Sequence, residues 1–303
     1  MKRKWLFRVL FLTCLSGGLC GAPTGAPQGA ASTPPPAPLQ VQKLKGSLYW
    51  VKGGSGASTG FYVGEKEVLV IDAKTTAESA RQMIAEISKI SANPIRRVLL
   101  THSDGDHVTG LEGFPREVSV FCQEKSAGYI DKAFTRPEAR AFLPQVTFSD
   151  RMTLFLGEEP QRKAVQFFYL GPAHTDGDAV VLFPEEKVAF VGDLVFLGRD
   201  PLIHRAAKNG TSIGLVKVLK ALLAMDIETF VSGHADPVGK EEVARLVQSI
   251  EEKQKQVGAL VKEGKNWEQI RKQLGGEDPA PASGPRRWMS LLEVIFLDLT
   301  EKK

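Results

Sequence analysis

Four of the five histidines in this chain stand at or just beyond the ends of apolar β runs. That pattern constrains the fold more than any bulk property. His102 and His107 lie in "THSDGDH" (residues 101–107), where the run "IRRVLLT" ends. His174 follows "AVQFFYLG" in "GPAHTDGD", and His234 closes "TFVSGH". Asp193 ends "KVAFVGD" in the same manner, and Asp72 ends "EVLVID". One such cluster could be a solvated loop. Several runs ending in imidazole or carboxylate call for strands whose ends meet at one edge, where α/β proteins build their sites. Imidazole and carboxylate are ligand types for zinc, and also for iron or manganese.

The remaining periodicity supplies the frame. "SLYWV" and "GFYVG" read as strands, and "EVLVID" as a third, buried one. "TTAESARQMIAEISKI" has helical spacing, with Met83, Ile84, Ile87 and Ile90 on one face and Thr75 with Glu78 as a capping box. "VSVFC" is a strand, residues 124–143 read as helix, and "RMTLFL", "AVQFFYLG", "DAVVLFP" and "KVAFVGD" follow as strands. "SIGLVKVLKALLAM" is an amphipathic helix ahead of "TFVSGH". Strands, helix and strand, then strands, helix and strand again predict an α/β chain built as a four-layer αββα sandwich. Beyond residue 240 the chain reads as a helical extension (241–303), broken at "GGEDPAPASGP" and closed by "RRWMSLLEVIFLDL", whose apolar face needs a partner.

The first forty residues divide in two. "MKRKWLFRVLFLTCLSGGLCGA" (1–22) has the basic start, apolar stretch and small residues of a signal peptide, which predicts a periplasmic or extracellular protein. Its apolar core is short for a membrane span, although an N-terminal anchor or a lipid on Cys14 or Cys20 stays open. Residues 23–40, rich in Pro, Ala and Gly, read as a tether to a domain over 41–240. The formal net charge of +4 resides in Lys2, Arg3, Lys4 and Arg8. Beyond them acids and bases balance, so charge gives no case for nucleic-acid binding. Past the leader only Cys122 remains, behind the apolar "VSVF", so a buried strand cysteine and no internal disulfide are expected.

With these residues in this order, the chain resembles the metallo-β-lactamase-fold hydrolases over about residues 41–240. The family pattern is H-x-H-x-D-H, then a distant His, an Asp and a final His. It falls here on His102, Asp104, Asp106, His107, His174, Asp193 and His234, and Asp72 matches the buried acid beneath the metals. The resemblance implies two metal ions, zinc or else manganese or iron. One would be held by His102, Asp104 and His174, the other by Asp106, His107 and His234, with Asp193 bridging. It further implies attack by a metal-bound hydroxide on a small-molecule substrate, with Asp106 as the catalytic group that orients it. Asp104 stands where the family has His. A carboxylate there favours harder metals or a weakly filled site, unless Asp104 only starts an Asp-Gly turn.

Relatives with Asp at position 193 cleave thioesters, lactones or phosphodiesters more often than β-lactams. The implied activity is therefore exported hydrolysis of an ester, lactone, thioester or amide-like bond. A β-lactamase-type hydrolase, an iron-dependent sulfur dioxygenase and a non-catalytic protein with a decayed site stay open. His204 lies outside the pattern in "GRDPLIHRAAKNGTS", among Arg199, Arg205 and Lys208. That loop should rim the cleft, where His204 and Arg205 would grip an anionic group of the substrate or simply be solvated. Nothing in the sequence indicates an oligomeric state.

Overall fold

The structure is a computed structural model that describes residues 37–158, 160, 162–275 and 289–301. The leader, most of the tether and, apart from Gly275, the predicted break at 275–285 lie outside the described residues.

Twelve strands form two sheets among the described residues. The first holds β1 (Gln40–Lys45), β2 (Leu48–Lys52), β3 (Thr59–Val63), β4 (Val68–Ile71), β5 (Ile95–Leu99), β6 (Ser119–Gln123) and β7 (Val146–Phe148) in sequence order. It is antiparallel from β1 to β4 and parallel from β4 to β7. The second holds β8 (Arg151–Leu156), β9 (Lys163–Tyr169), β10 (Ala179–Phe183), β11 (Val188–Gly192) and β12 (Thr229–Ser232) in the order β12-β11-β10-β9-β8, with only β11 and β12 parallel. The helices are α1 (Ala77–Ile90), α2 (Gly105–Val108), α3 (Glu124–Ala133), α4 (Pro137–Arg140), α5 (Arg205–Lys208), α6 (Ser212–Leu223), α7 (Lys240–Lys262), α8 (Trp267–Leu274) and α9 (Leu291–Thr300).

The layers follow from which faces are apolar. Every residue of β10 ("AVVLF") and β11 ("VAFVG") is buried, the signature of strands covered on both sides. Between the sheets, Trp50, Leu69, Ile71 and Phe121 meet Phe167, Val181, Phe183 and Phe190. Met83 and Ile87 of α1 and Ile130 of α3 cover the first sheet. Leu215 and Leu219 of α6, Ile250 and Val257 of α7, and Val294 and Ile295 of α9 cover the second. The result is the αββα sandwich, and the apolar last helix finds its partners in α6, α7 and α8 on the outer side of the second sheet.

Local details differ from the sequence reading for physical reasons. The α1 cap is Thr76, whose Oγ1 accepts from Ser79 N–H at 3.1 Å, one residue on from the expected Thr75. Thr75 is instead held by its backbone, its N–H donating to Ser55 O at 3.1 Å. Ile90, expected on the buried face, is 41% exposed because α1 ends there. The helix read over 124–143 stops at Ala133 and restarts at Pro137. A proline's ring and missing N–H suit the first turn of a helix and not its interior. β1 and β7 were not anticipated as strands.

The parallel pairs β4–β5 and β11–β12, one from each sheet, point their carboxyl ends at one edge of the sandwich. Backbone bonds tie the sheets and their loops there: Ala179 N–H donates to Thr101 O at 2.7 Å, Ser58 N–H to Gly233 O at 2.7 Å and Ala73 N–H to His107 O at 2.7 Å.

Candidate metal centre

Each ligand candidate leaves the end of an element at that edge. Asp72 follows β4 and His102 follows β5. Asp106 and His107 ride on the single turn α2, His174 on the β9–β10 loop, Asp193 after β11 and His234 after β12. They fall into two groups. His102, Asp104, His174 and Asp193 form one, and Asp106, His107 and His234 the other, with the ligating atoms of each within 4.8 Å of one another. Asp193 joins the groups. Its Oδ1 lies 3.2 Å from His107 Nε2, and its Oδ2 lies 3.1 Å from His234 Nε2, 3.8 Å from His174 Nε2 and 3.9 Å from His102 Nε2.

Three histidines have their other ring nitrogen fixed. His107 Nδ1–H donates to Asp72 Oδ2 at 2.8 Å. Thr101 Oγ1–H donates to the same oxygen at 2.9 Å and so accepts from His102 Nδ1–H at 3.1 Å. Asp72 Oδ1 takes the Thr101 N–H at 2.8 Å. His174 Nδ1–H donates to Leu202 O at 2.7 Å. In the neutral imidazole each Nε2 therefore carries the lone pair, aimed inward. Asp72 touches no other ligand candidate. It sits at φ +62°, in the left-handed region that Asp tolerates, and orients both histidines from beneath.

The inward atoms test whether a metal fits. His102 Nε2, His107 Nε2 and Asp193 Oδ1 are buried and make no hydrogen bond. Leaving buried polar atoms unpaired costs about 1–3 kcal/mol each, so several converging on one space call for a cation. The nitrogen and oxygen donors suit zinc, manganese or iron, and the residues fit two ions. Electrostatics agrees. Burial alone would raise the Asp193 carboxyl, but the imidazoles of His107, His234 and His102 hold it well below the usual range. Burial alone would lower His174, but the Asp104 and Asp193 carboxylates push it up to about 9. His234, facing Asp106 and Asp193, is likewise pushed up to about 9. Groups that attract protons this strongly would give them up to bind a dication.

Asp104 precedes α2 but makes no capping bond there. Its Oδ2 lies instead 2.6 Å from His204 Nε2, 3.2 Å from His174 Nε2 and 3.7 Å from His102 Nε2, while Oδ1 contacts Lys208 Nζ. His204 thus faces a ligand candidate. Arg205, expected to grip substrate, is turned elsewhere. Its side chain is 7% exposed and is engaged by Asp298 of α9 and by Glu301 Oε2 just beyond it. Arg199 lies over the Phe196 ring at 4.8 Å, and that ring stacks on His234 at 5.6 Å. Asp178 accepts from Thr175 N–H and Oγ1 and so closes a turn. Cys122 is buried and its thiol is pushed up to about 12, which removes it as a nucleophile.

Thr101, Phe196 and Gly233 escaped the sequence reading. A Cβ on Gly233 would come within 2.5 Å of Asp193 Oδ1 and 2.6 Å of His107 Cε1, so only glycine lets β12 pass this close. Its place beside His234 in "SGH" was the available signal.

Comparison with known proteins adds the following. The family model described as "Metallo-beta-lactamase superfamily" matches residues 53–234. A metallo-beta-lactamase type 2 from Elizabethkingia meningoseptica is 26% identical over 230 residues, 72% of this chain and 88% of that protein. A linear primary-alkylsulfatase from a Pseudomonas species is 21% identical over 221 residues, 59% of this chain but only 42% of that longer protein. The alpha subunit of a 2,4-dinitroanisole O-demethylase from a Nocardioides species is 25% identical over 176 residues, half of that protein's length. Among solved structures, a metallo-beta-lactamase from Pontibacter korlensis aligns with TM-score 0.59 and 19% identity, covering 70% of this chain and 99% of that one.

Proposed function

This chain belongs to the metallo-beta-lactamase superfamily, and on that premise we propose that it is a metal-dependent hydrolase of a small molecule, working with two ions. One observation carries the reading: seven side chains converge in two groups joined by Asp193, with His102 Nε2, His107 Nε2 and Asp193 Oδ1 buried and unpaired. Bound there, dications would supply Lewis acidity and a water whose pKa drops to about 7. The protein's own part follows from exposure. His102, His107 and His174 are buried, whereas Asp106 and His234 are 33% and 30% exposed at the side chain. Substrate and water therefore approach from the Asp106 and His234 side. Asp106 Oδ2 lies 3.1 Å from His234 Nε2, and its carboxylate is placed to orient an attacking water and accept its proton. Phe196 walls the opposite face of His234.

The bond cleaved is an ester, lactone, thioester or amide-like bond. Asp193 supports this over dedicated β-lactam cleavage, since the resemblance associates a bridging Asp with the former class. The similarity to a metallo-beta-lactamase keeps a β-lactam among the substrates to try. The test is elemental analysis of the purified protein, with hydrolysis of generic ester, lactone, thioester and β-lactam substrates before and after chelation. About two metals per chain and chelator-sensitive hydrolysis are expected. A folded protein that binds no metal overturns the reading. One iron and no hydrolysis would point to the dioxygenase class instead, and bound metal with no turnover to a non-catalytic role.

A further inference from the structure

Asp104 is the ligand position at which this chain departs from its family's pattern, and a lysine stands directly behind its carboxylate. Lys208 Nζ contacts Asp104 Oδ1 and lies 2.8 Å from Ser103 Oγ. The inner oxygen, Oδ2, faces His174 and His102 and lies 2.6 Å from His204 Nε2, which takes one of its lone pairs. The lysine and aspartate side chains are 16% and 13% exposed, so the pair lies in a region where charges are poorly screened. We propose that Lys208 is a positioning residue of the first metal site, and that Asp104 and Lys208 together replace the neutral imidazole the family places there. The proposal rests on reading Asp104 as a metal ligand.

An imidazole ligand is neutral and a carboxylate carries −1. An ammonium on the outer oxygen returns the pair to zero, leaves one oxygen for the metal and fixes which one. The backbone is built to deliver it. His204 precedes the single turn α5 and Lys208 ends it, with Lys208 N–H donating to His204 O at 2.9 Å, and both side chains reach Asp104. Asp176 N–H donates to Lys208 O at 2.8 Å and His204 N–H to His174 O at 2.8 Å, which stitches the turn to the loop that carries His174. Arg205, between them, points away to Asp298. Lys208 also lies over the Tyr129 ring at 5.6 Å, which limits its freedom to leave.

The consequence reverses the simple expectation from the family pattern. Restoring histidine alone, Asp104→His, leaves an unpaired ammonium beside a dication and should lower first-site affinity. Removing the ammonium as well should restore it. The experiment is zinc titration of the metal-free full chain against a chromophoric chelator, with stoichiometry by elemental analysis. The variants are Asp104→His, Lys208→Gln and both together, and His174→Ala marks which binding step is the first site. Lys208→Gln keeps a hydrogen-bonding partner for Ser103 and loses only the charge. If it does not fold, Lys208→Met takes its place.

The proposal expects Lys208→Gln to raise first-site affinity at least tenfold more in the Asp104→His background than in the Asp104 background. A merely structural lysine would change affinity by the same factor in both, and any difference smaller than tenfold overturns the proposal. A wild type holding one zinc that is indifferent to His174→Ala overturns it too. A folded wild type that holds no zinc overturns the metal reading itself, a result distinct from two zincs with additive variants.

Discussion

Lys74 is a fully buried cation, and its ammonium donates to Gly53 O and Ala57 O, each at 2.8 Å. Burial lowers it from 10.5 to about 8, against an upward pull from the Asp72 carboxylate. Between those two values the unfolded chain holds a proton that the folded state has released. The unfolding free energy therefore rises with pH across the window and is flat below it. Lys74→Met should abolish a rise of about 3 kcal/mol, at roughly 1.4 kcal/mol per pKa unit. Urea titrations of both proteins from about pH 7 to 10 read it directly, and parallel curves would show that the charge is solvated. Residues such as this and Lys208 were hard to read in the sequence. The ligands lie at run ends in a fixed order, which one dimension preserves. Lys208 meets Asp104 across a separation of 104 residues with no periodic relation between them, so its partner appears only when α5 is folded.

The last helix serves as more than a cover. Asp298 of α9 pairs with Arg205 of α5 through one oxygen. Its other oxygen accepts from Ser212 N–H at 2.7 Å, Ser212 Oγ at 2.7 Å and Thr211 Oγ1 at 2.9 Å, so it also caps α6 from outside. The Arg205 and Asp298 side chains are 7% and 2% exposed. Asp298→Ala should cost up to ~3–5 kcal/mol, since it leaves a buried guanidinium with only the exposed Glu301 and Leu297 O as partners. Arg205→Met with Asp298→Leu should cost clearly less, as chemical denaturation midpoints would show. An equal loss in the double variant would mean that packing, and not the ion pair, dominates. Legibility at this scale followed burial. β10 and β11 announced themselves as unbroken apolar runs. β1, "QVQKLK", is largely exposed along the sheet edge and has no apolar face for a pattern to reveal. The stop between α3 and α4 was signalled by Pro137 but masked by helical spacing that continues through it.

For the molecule as a whole, the sandwich and the site edge were legible because six ligand-type residues ended apolar runs. The packing of α7, α8 and α9 on the second sheet was not, since apolar helices state a need for a partner without naming it. No helix among the described residues is long and apolar enough to cross a membrane. We propose that the leader exports the chain and is removed, so that the mature protein begins between about residues 20 and 30. N-terminal sequencing of protein from the native cell checks this, and an intact Met1 in a soluble cytosolic fraction would refute it.

The reach from Arg205 to Asp298 has a consequence for the order of synthesis. The guanidinium leaves the ribosome 93 residues ahead of its counterion, about 5–20 s at ordinary elongation rates. Until then α5 has no anchor on its far side, and burying Arg205 without a partner is costly. The turn that brings His204 and Lys208 to Asp104 is stitched to the His174 loop by its backbone, and it gains its far-side anchor only when Asp298 is in place. The first group of ligand candidates thus leans on a side chain of α9, and a change at Asp298 would be felt at Asp104 by way of α5.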